Sequence, residues 1–430
     1  MRKINIFFDA KIFIDVFFVA NSDRSGLYFV AWNVLQMMHK NENLQILLAY
    51  PGGYAKSENL KKLKKHPFFA QFKFVNLGLY ETDILLKIDS HRQNKNYARM
   101  LYNYFCLTKC RIKERYYCRK KFFKNIQVYL SPFFPIPKKI LEQKHIKKFY
   151  ILHDVIPLLP QDFFKNNYAV RNKYNTLIET LDKNIYSFCV SQSTKDDFLK
   201  YCGDKLDANK MFVTHIATNQ NYTPNYNKQE LMQILKKYKV EHNPNDNYLF
   251  SLCSLEPRKN LPFTIACFLK FIKKHNIQNL YFYLGGSIWW SFESVMAKAL
   301  EDAGELRHKV KLLGYIDDCD MNILYSNSLF FTYLSQYEGF GMPPLEAMQA
   351  GTPVITSNNS SLPEVVGNAA ISLTYNDELA VIKAFEDFYF NENLRKEYIA
   401  KGLERAKMFS WEKCVGQMIR SIEDVVKSPA

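Results

Sequence analysis

Residues 330–367 read FFTYLSQYEGFGMPPLEAMQAGTPVITSNNSSLPEVVG, and this stretch predicts the fold of the chain. The apolar run 330–335 predicts a buried strand, and a glycine-bearing loop comes directly after it. Pro343 and Pro344 suit the opening of a helix, where a missing backbone N–H costs least. Gly351 suits the C-terminal cap of that helix. The stretch therefore predicts a strand, a loop and a helix in succession.

Residues 352–357 predict the strand that follows this helix. A strand–loop–helix–strand unit implies a parallel sheet, and parallel sheets bind ligands at the carboxyl ends of their strands. Two carboxylates, Glu338 and Glu346, are separated by seven residues, one in the loop and one in the first turn of the helix. They could merely complement a helix N-terminus, which is worth ~0.3–1 kcal/mol. Helix capping does not, however, require the surrounding glycines and prolines.

Four motifs in this stretch carry a family resemblance: EGFG at 338–341, PPLEAM at 343–348, GTPV at 351–354 and SLPEV at 361–365. Together they resemble the nucleotide-sugar site of retaining glycosyltransferases of family 4, whose signature is two glutamates with seven residues between them. The resemblance implies an α/β protein with the GT-B fold, in which two doubly wound, Rossmann-like domains face each other across a cleft.

A second motif, EPRKN at 256–260, lies between a predicted strand at 248–255 and a predicted helix at 261–274. Arg258 and Lys259 then lie beside a helix N-terminus, a position already disposed to bind anions. We expect Asn260 to cap that helix. Two adjacent cations are usually a solvated pair, but the resemblance implies that they hold the diphosphate of the donor.

His153 ends a predicted strand at 148–153 and is followed by Asp154. A single histidine is more often structural, whereas the resemblance places a histidine at this position beside the donor sugar. The glycine-rich turn that the family carries near its first strand is represented here by Gly26. We therefore expect His153 and Gly26 to face Glu338 and Arg258 across the cleft.

The resemblance assigns a role to each candidate site residue. Glu346 is suited to accept both ribose hydroxyls, because a carboxylate has two acceptor oxygens. Glu338 and the loop after it would face the sugar, and the turn at 314–316 would present backbone groups to the nucleobase. The predicted catalytic residues are His153, Arg258, Lys259 and Glu338. The predicted substrate-binding residues are Gly26, Gly285, Tyr315, Ile316, Gly339, Phe340, Gly341, Met342, Pro343, Leu345 and Glu346.

No metal or other cofactor is expected, because Arg258 and Lys259 can neutralise a leaving diphosphate themselves. Residues 318–320 superficially form an Asp-x-Asp metal motif. Their place before a predicted helix at 321–327 favours an acidic N-terminal turn instead.

The chain has 430 residues, of which 47% are hydrophobic, enough for two domain cores. We expect an acceptor-side domain at 1–216 and a nucleotide-sugar domain at 217–409, the latter opening with a polar linker at 217–227. A C-terminal helix at 410–430 is expected to return to the first domain. Residues 1–20 are interrupted by charges and predict a first strand rather than a signal peptide or a membrane span. Nine cysteines without paired spacing favour a reducing compartment.

The net charge of +16 is concentrated in an insertion at 91–125, which has eleven Lys or Arg and one acid. Aromatic residues are interleaved with these cations, which suits an anionic membrane surface. The same composition also suits single-stranded nucleic acid or a solvated helical hairpin. We expect a cytoplasmic protein attached peripherally to the inner face of the plasma membrane, with nucleic acid the least favoured partner.

The resemblance implies transfer of a sugar from a nucleotide-diphosphate sugar to a glycan or lipid-linked acceptor, with retention of anomeric configuration. Mannosyltransferases of bacterial surface-polysaccharide assembly often share the EPRKN string and the HD-x-IP string at 153–157. This resemblance implies GDP-mannose as the donor and bacterial O-antigen or capsule-type polysaccharide synthesis. Three other functions remain open at this stage. A glycoside hydrolase would also use two carboxylates, charge alone suggests a nucleic-acid-binding protein, and a catalytically inactive scaffold would keep the same fold.

Overall fold

The computed structural model describes residues 3–18, 26–78, 101, 123–161, 163–164, 167–218, 222–288 and 292–428. Most of the basic insertion at 91–125 lies outside the described residues. The chain divides into two compact units, and the division falls between His215 and Ile216. Unit 1 comprises Met1–His215 together with Trp411–Ala430, and unit 2 comprises Ile216–Ser410.

Unit 1 is built on a parallel sheet of seven strands in the order β3-β2-β1-β4-β5-β6-β7. Short runs of buried aliphatic and aromatic residues form these strands, as expected for a sheet covered on both faces. The strands are β1 Ile4–Asp9, β2 Leu44–Tyr50, β3 Lys73–Asn76, β4 Val128–Ser131, β5 Lys147–Leu152, β6 Ile185–Cys189 and β7 Met211–Val213.

Seven described helices belong to unit 1, including the last helix of the chain. They are α1 Lys11–Val16, α2 Gly26–His39, α3 Glu58–Lys65, α4 Lys138–Leu141, α5 Tyr168–Glu179, α6 Gln192–Cys202 and α15 Trp411–Lys427. Helix α15 buries one face, at Cys414, Val415, Met418, Ile419 and Ile422, and it contacts α2. This spacing is that of an amphipathic helix with a single apolar stripe.

Unit 2 is built on a second parallel sheet, of six strands in the order β10-β9-β8-β11-β12-β13. The strands are β8 Asn247–Leu252, β9 Leu280–Gly285, β10 Val310–Gly314, β11 Phe330–Tyr333, β12 Val354–Ser357 and β13 Ala370–Leu373. The chain builds outward from β8 to β10 and then returns to place β11 beside β8. A parallel sheet binds ligands at such a switch point, so the loops after β8 and β11 mark the candidate site.

Helices connect these strands in unit 2. They are α7 Lys228–Lys237, α8 Leu261–Lys274, α9 Glu293–Asp302, α10 Asp318–Ser326, α11 Met342–Gln349, α12 Leu362–Val366, α13 Glu378–Phe390 and α14 Glu392–Ala406. Two parallel sheets with flanking helices confirm the predicted α/β fold class. The polar stretch predicted as a linker lies against unit 2 where it is described, since Tyr222 packs edge-on against Tyr325.

Two local predictions were wrong in detail. Helix α11 begins at Met342, one residue before the prolines, so Glu346 lies in its second turn rather than its first. The charge of Glu346 therefore does not complement the N-terminus of this helix. Asn260 does precede α8, but its side chain makes no cap; with a φ of 57° it donates from Nδ2 to the Tyr375 carbonyl.

No helix in the described part of the chain is both long enough and apolar enough to span a membrane.

Candidate functional site

The loops after β8 and β11 are joined to each other by hydrogen bonds. The first loop contains a short 3-10 turn, Pro257–Lys259, which begins with proline and ends at the left-handed Asn260. The carbonyl of Arg258 accepts from the backbone N–H of Gln336 at 2.8 Å and from Ser335 Oγ at 3.3 Å. The two loops thus hold one another in register, and side chains from both converge between them.

Arg258 lies at the centre of this convergence. Its Nη1 is 2.7 Å from Glu338 Oε2, and its Nη2 is 2.6 Å from Glu256 Oε1. Nη1 also donates to the carbonyl of Tyr337 at 2.5 Å. The Nε–H is buried and has no hydrogen-bond partner among the described residues. A buried guanidinium donor without a partner is costly, so this atom marks a place where a ligand acceptor would be stabilised.

Lys259 is the second cation of the site and is also buried. Its Nζ donates to Glu338 Oε1 and to the hydroxyl of Tyr333, each at 2.6 Å. An ammonium has three donors, so the contacts made by described residues leave one N–H for a ligand.

Glu338 accepts from both cations and stays ionised. Burial would raise its pKa, but the charges of Arg258 and Lys259 outweigh this effect and lower the pKa to about 2. Burial would likewise lower the pKa of Arg258, and Glu338 and Glu256 reverse that effect and raise it. The two phosphate-binding cations predicted from the sequence are therefore already paired with two carboxylates in the free protein.

Glu346 has a different environment from Glu338. It projects from α11, is buried, and accepts a hydrogen bond from Tyr325 Oη at 2.8 Å. Burial raises its pKa to about 7, and the negative charge of Asp318 adds to this effect, while the Tyr325 hydrogen bond opposes it. This carboxyl group consequently changes its charge near neutral pH, which Glu338 does not.

Two glycines of the predicted site leave little space for a side chain. Gly341 has a φ of +116°, and a Cβ there would lie 2.8 Å from Leu362 Cδ2. A Cβ on Gly285 would lie 2.8 Å from Leu252 Cδ1 and 2.9 Å from Ile316 Cγ1. The absence of a side chain at Gly285 thus allows the turn at Ile316 to approach the end of β9.

The remaining predicted residues of unit 2 differ in their exposure to solvent. Tyr315, Gly339, Met342 and Pro343 are half-buried. Ile316, Phe340 and Leu345 are buried, so their side chains support the loops. Phe340, for example, packs edge-on against Phe409 at 5.8 Å between ring centroids.

Two predicted residues, His153 and Gly26, belong to unit 1. His153 follows β5, and its Nε2 lies 2.9 Å from the carbonyl of Pro132. A carbonyl only accepts, so Nε2 carries the proton and Nδ1 is an acceptor. Burial lowers the pKa of His153 to about 4, and the hydrogen bond to Pro132 opposes this effect. Gly26 opens α2. That these two residues face the cluster of unit 2 stays a prediction.

Sequence reasoning missed three residues that contact the predicted ones. Glu256 pairs with Arg258, Tyr333 contacts Lys259, and Tyr325 contacts Glu346. Glu256 is the first residue of the EPRKN motif, but no separate role was predicted for it. The two tyrosines carried no signal, because in a buried strand or helix their rings are indistinguishable from core residues.

Most of unit 2 matches a known protein family. Residues 233–405 match the family model described as glycosyl transferases group 1. The chain is 29% identical over 294 residues to O-antigen chain mannosyltransferase B of Escherichia coli, an alignment that covers 68% of this chain and 73% of that protein. It is 25% identical over 262 residues to the serotype-specific mannosyltransferase WbdA of Escherichia coli. That second alignment covers 61% of this chain but 31% of WbdA, about a third of its length.

Among solved structures, the chain is similar to a glycosyltransferase from Rickettsia africae ESF-5. The TM-score is 0.66 at 14% sequence identity, and the alignment covers 100% of both chains. At this identity the similarity shows the fold alone, which is the two-domain GT-B fold.

Proposed function

We propose that the chain is a group 1 glycosyltransferase, which transfers mannose from GDP-mannose to a glycan acceptor with retention of configuration. The proposal places this reaction in the assembly of a bacterial O-antigen or capsule-type polysaccharide. The names of the relatives, O-antigen chain mannosyltransferase B and serotype-specific mannosyltransferase, support the sugar and the type of product. The donor is a nucleotide sugar, and guanine is its proposed base.

The observation that carries the proposal is the cluster of Arg258, Lys259 and Glu338 at the switch point of the second sheet. A sugar nucleotide is an acetal with a diphosphate leaving group, so bond cleavage places negative charge on phosphate and oxocarbenium character on the sugar. Fixed donors aimed at the charge that develops are the strongest form of such catalysis. The unpartnered Nε–H of Arg258 and the remaining N–H of Lys259 are donors of this kind.

The carboxylates complete the proposed donor site. Glu346 would accept the two ribose hydroxyls, and Glu338 would accept from a hydroxyl of the sugar while it holds the two cations in place. In a retaining reaction without a protein nucleophile, the leaving phosphate takes the proton of the acceptor hydroxyl. We assign no residue as nucleophile and propose no metal cofactor, since Arg258 and Lys259 provide the charge.

A glycoside hydrolase is the rival enzyme class that two carboxylates would suggest. The ion pairs argue against it, because contact with two cations lowers the pKa of Glu338 to about 2 and makes its carboxylate a weak base and a weak nucleophile. A hydrolase also would not need the phosphate-binding turn that contains Arg258 and Lys259.

Thermal unfolding in the presence of GDP, UDP, dTDP and ADP tests the proposed donor. We expect GDP to raise the melting temperature most, since a ligand at 100 times its dissociation constant adds about 2.7 kcal/mol to stability. The measurement should be made in EDTA. A shift with UDP and none with GDP would reject GDP-mannose, and no shift with any of the four would reject a nucleotide-sugar site.

We also propose that the enzyme works at the cytoplasmic face of the plasma membrane, held there by the basic insertion at 91–125. Each cation near an anionic surface adds about 1 kcal/mol, and salt screens the attraction. The test is binding to vesicles containing anionic lipid after the following four residues are replaced by Gln: Arg119, Lys120, Lys121 and Lys124. We expect this variant to be released from the vesicles and to keep its donor turnover.

A matched control removes the same number of positive charges from helix α3 of unit 1. The four lysines replaced by Gln are Lys61, Lys62, Lys64 and Lys65, all exposed. Vesicle binding should persist in this control. Equal loss of vesicle binding in both variants would show that the insertion contributes no more than other surface lysines. Unchanged vesicle binding in the variant of residues 119–124 would exclude a membrane role for this cluster.

A further inference from the structure

The hydroxyl of Tyr333 bridges the two charged groups of the proposed catalytic cluster. Tyr333 is the last residue of β11, and its Oη lies 2.6 Å from Lys259 Nζ and 2.9 Å from Glu338 Oε1. We propose that Tyr333 is a positioning residue, which holds the Lys259 ammonium where the leaving diphosphate develops its charge. This inference rests on the proposed function and extends it to a residue that carries no charge and touches no substrate.

The direction of both hydrogen bonds follows from the chemistry of the groups. An ammonium can only donate, so the phenol oxygen accepts from Lys259 and its own proton goes to the ionised Glu338. The phenol keeps that proton, because burial and the charge of Glu338 raise the pKa of Tyr333. Tyr333 is therefore the one neutral group among the described contacts that binds both members of this ion pair.

The ring of Tyr333 is itself fixed to the sheet. The backbone carbonyl of Tyr333 accepts a hydrogen bond from Thr356 Oγ1 on the adjacent strand β12, at 2.9 Å. The ring stacks on Phe331 with centroids 6.0 Å apart and planes 18° apart, and only 4% of the residue is exposed. Lys259 Nζ, which is bound to this hydroxyl, lies 5.0 Å from the centroid of the same ring, at its hydroxyl edge. The position of the Tyr333 hydroxyl is therefore fixed by the packing of its ring and not by Lys259.

This fixed hydroxyl matters because Glu338 competes with the donor for Lys259. A carboxylate 2.6 Å from Nζ draws the ammonium toward itself, whereas catalysis requires it to be shared with the phosphate. The phenol oxygen gives the ammonium a second acceptor, one without charge. The phenol proton donates to Glu338 and so occupies part of the acceptor capacity of that carboxylate. Without the hydroxyl, Glu338 alone would orient the ammonium, and the remaining N–H of Lys259 would no longer be held toward the leaving group.

Tyr333→Phe tests this role while retaining the ring. We expect kcat for sugar transfer to fall ~10-fold, which corresponds to ~1.4 kcal/mol. Affinity for GDP-mannose in the absence of acceptor should change by less than ~3-fold, because the charge that Lys259 meets grows only as the bond breaks. Tyr283→Phe is the control; it removes another buried hydroxyl of unit 2, bound to His242 Nδ1 at 2.8 Å, and should leave kcat unchanged. Tyr333→Leu supplies a second variant without a hydroxyl, for which the same fall in kcat is expected.

The decisive comparison is made in the Lys259→Ala background. If Tyr333 acts through Lys259, Tyr333→Phe causes no further loss there, whereas independent effects would add. Additive losses, or an unchanged kcat in both Tyr333→Phe and Tyr333→Leu, would overturn the inference while the wild-type enzyme still transfers sugar. A wild-type enzyme that transfers no sugar would instead reject the proposed function.

Discussion

Replacing Lys259 with Ala is expected to lower kcat by ~10²–10³, the loss that accompanies removal of ~3–4 kcal/mol of transition-state stabilisation. The ammonium lies beside Glu338 in the free protein, and its proposed contact with the diphosphate strengthens as charge develops there. The affinity for GDP-mannose should therefore fall less than kcat does. Measurement of kcat at saturating donor, together with calorimetric titration of GDP-mannose in the absence of acceptor, separates the two effects.

A control is needed because breaking a buried ion pair also destabilises the fold, by ~3–5 kcal/mol. Lys309→Ala removes another buried lysine of unit 2, whose Nζ donates to the Gln278 carbonyl at 2.5 Å and lies 4.6 Å from the ring centroid of Tyr281. Thermal unfolding of both variants shows what fraction of each is folded. Lys309→Ala should keep the wild-type kcat, and full activity in Lys259→Ala would show that the catalytic cation is wrongly assigned.

Replacing Glu346 with Ala is expected to weaken GDP binding by ~10²-fold, or ~2.7 kcal/mol. Hydrogen bonds to a charged group contribute ~1.5–3 kcal/mol each, and the carboxylate would accept from two ribose hydroxyls. Since the ribose contact is the same before and during bond cleavage, kcat at saturating donor should change little. Calorimetric titration of GDP measures the effect. An unchanged dissociation constant would remove Glu346 from the site.

The pKa of Glu346 gives this prediction a pH dependence. Burial raises that pKa to about 7, so the group becomes protonated as the pH falls through 7 and then loses acceptor capacity. The affinity of the wild type for GDP-mannose, whose diphosphate does not titrate near pH 7, should accordingly fall as the pH is lowered through this value. Glu346→Gln keeps the shape of the side chain but cannot ionise, so its affinity for GDP-mannose should be lower and independent of pH in this range. A wild-type affinity that rises on acidification would contradict the assignment.

The fold could be predicted because its determinants are local. Gly341, the two prolines and Gly351 mark the turns on either side of α11 whatever the rest of the chain does. The strand before them and the strand after them are short apolar runs, and such runs with an intervening helix have one common arrangement. Helix ends depend on finer balances, which explains why α11 begins at Met342, one residue earlier than predicted.

The candidate residues could be predicted, but their pairing could not. Lys259 and Glu338 are 79 positions apart in the chain, and they meet only because β11 returns to lie beside β8. The sequence showed two cations suited to a diphosphate and a glutamate suited to a sugar. That Glu338 contacts both cations in the free protein follows from the topology of the sheet. The same topology brings Tyr333 between them.

The measurement that tests the central claim most directly is sugar transfer by the wild-type enzyme in EDTA. GDP-mannose and a mannose-terminated oligosaccharide would be the substrates, and NMR of the product would show the configuration of the new bond. We predict an α-linked mannose on the acceptor, formed at the same rate with and without EDTA. A β-linked product, complete loss of transfer in EDTA, or release of free mannose alone would contradict a retaining transferase in which Arg258 and Lys259 stabilise the leaving diphosphate.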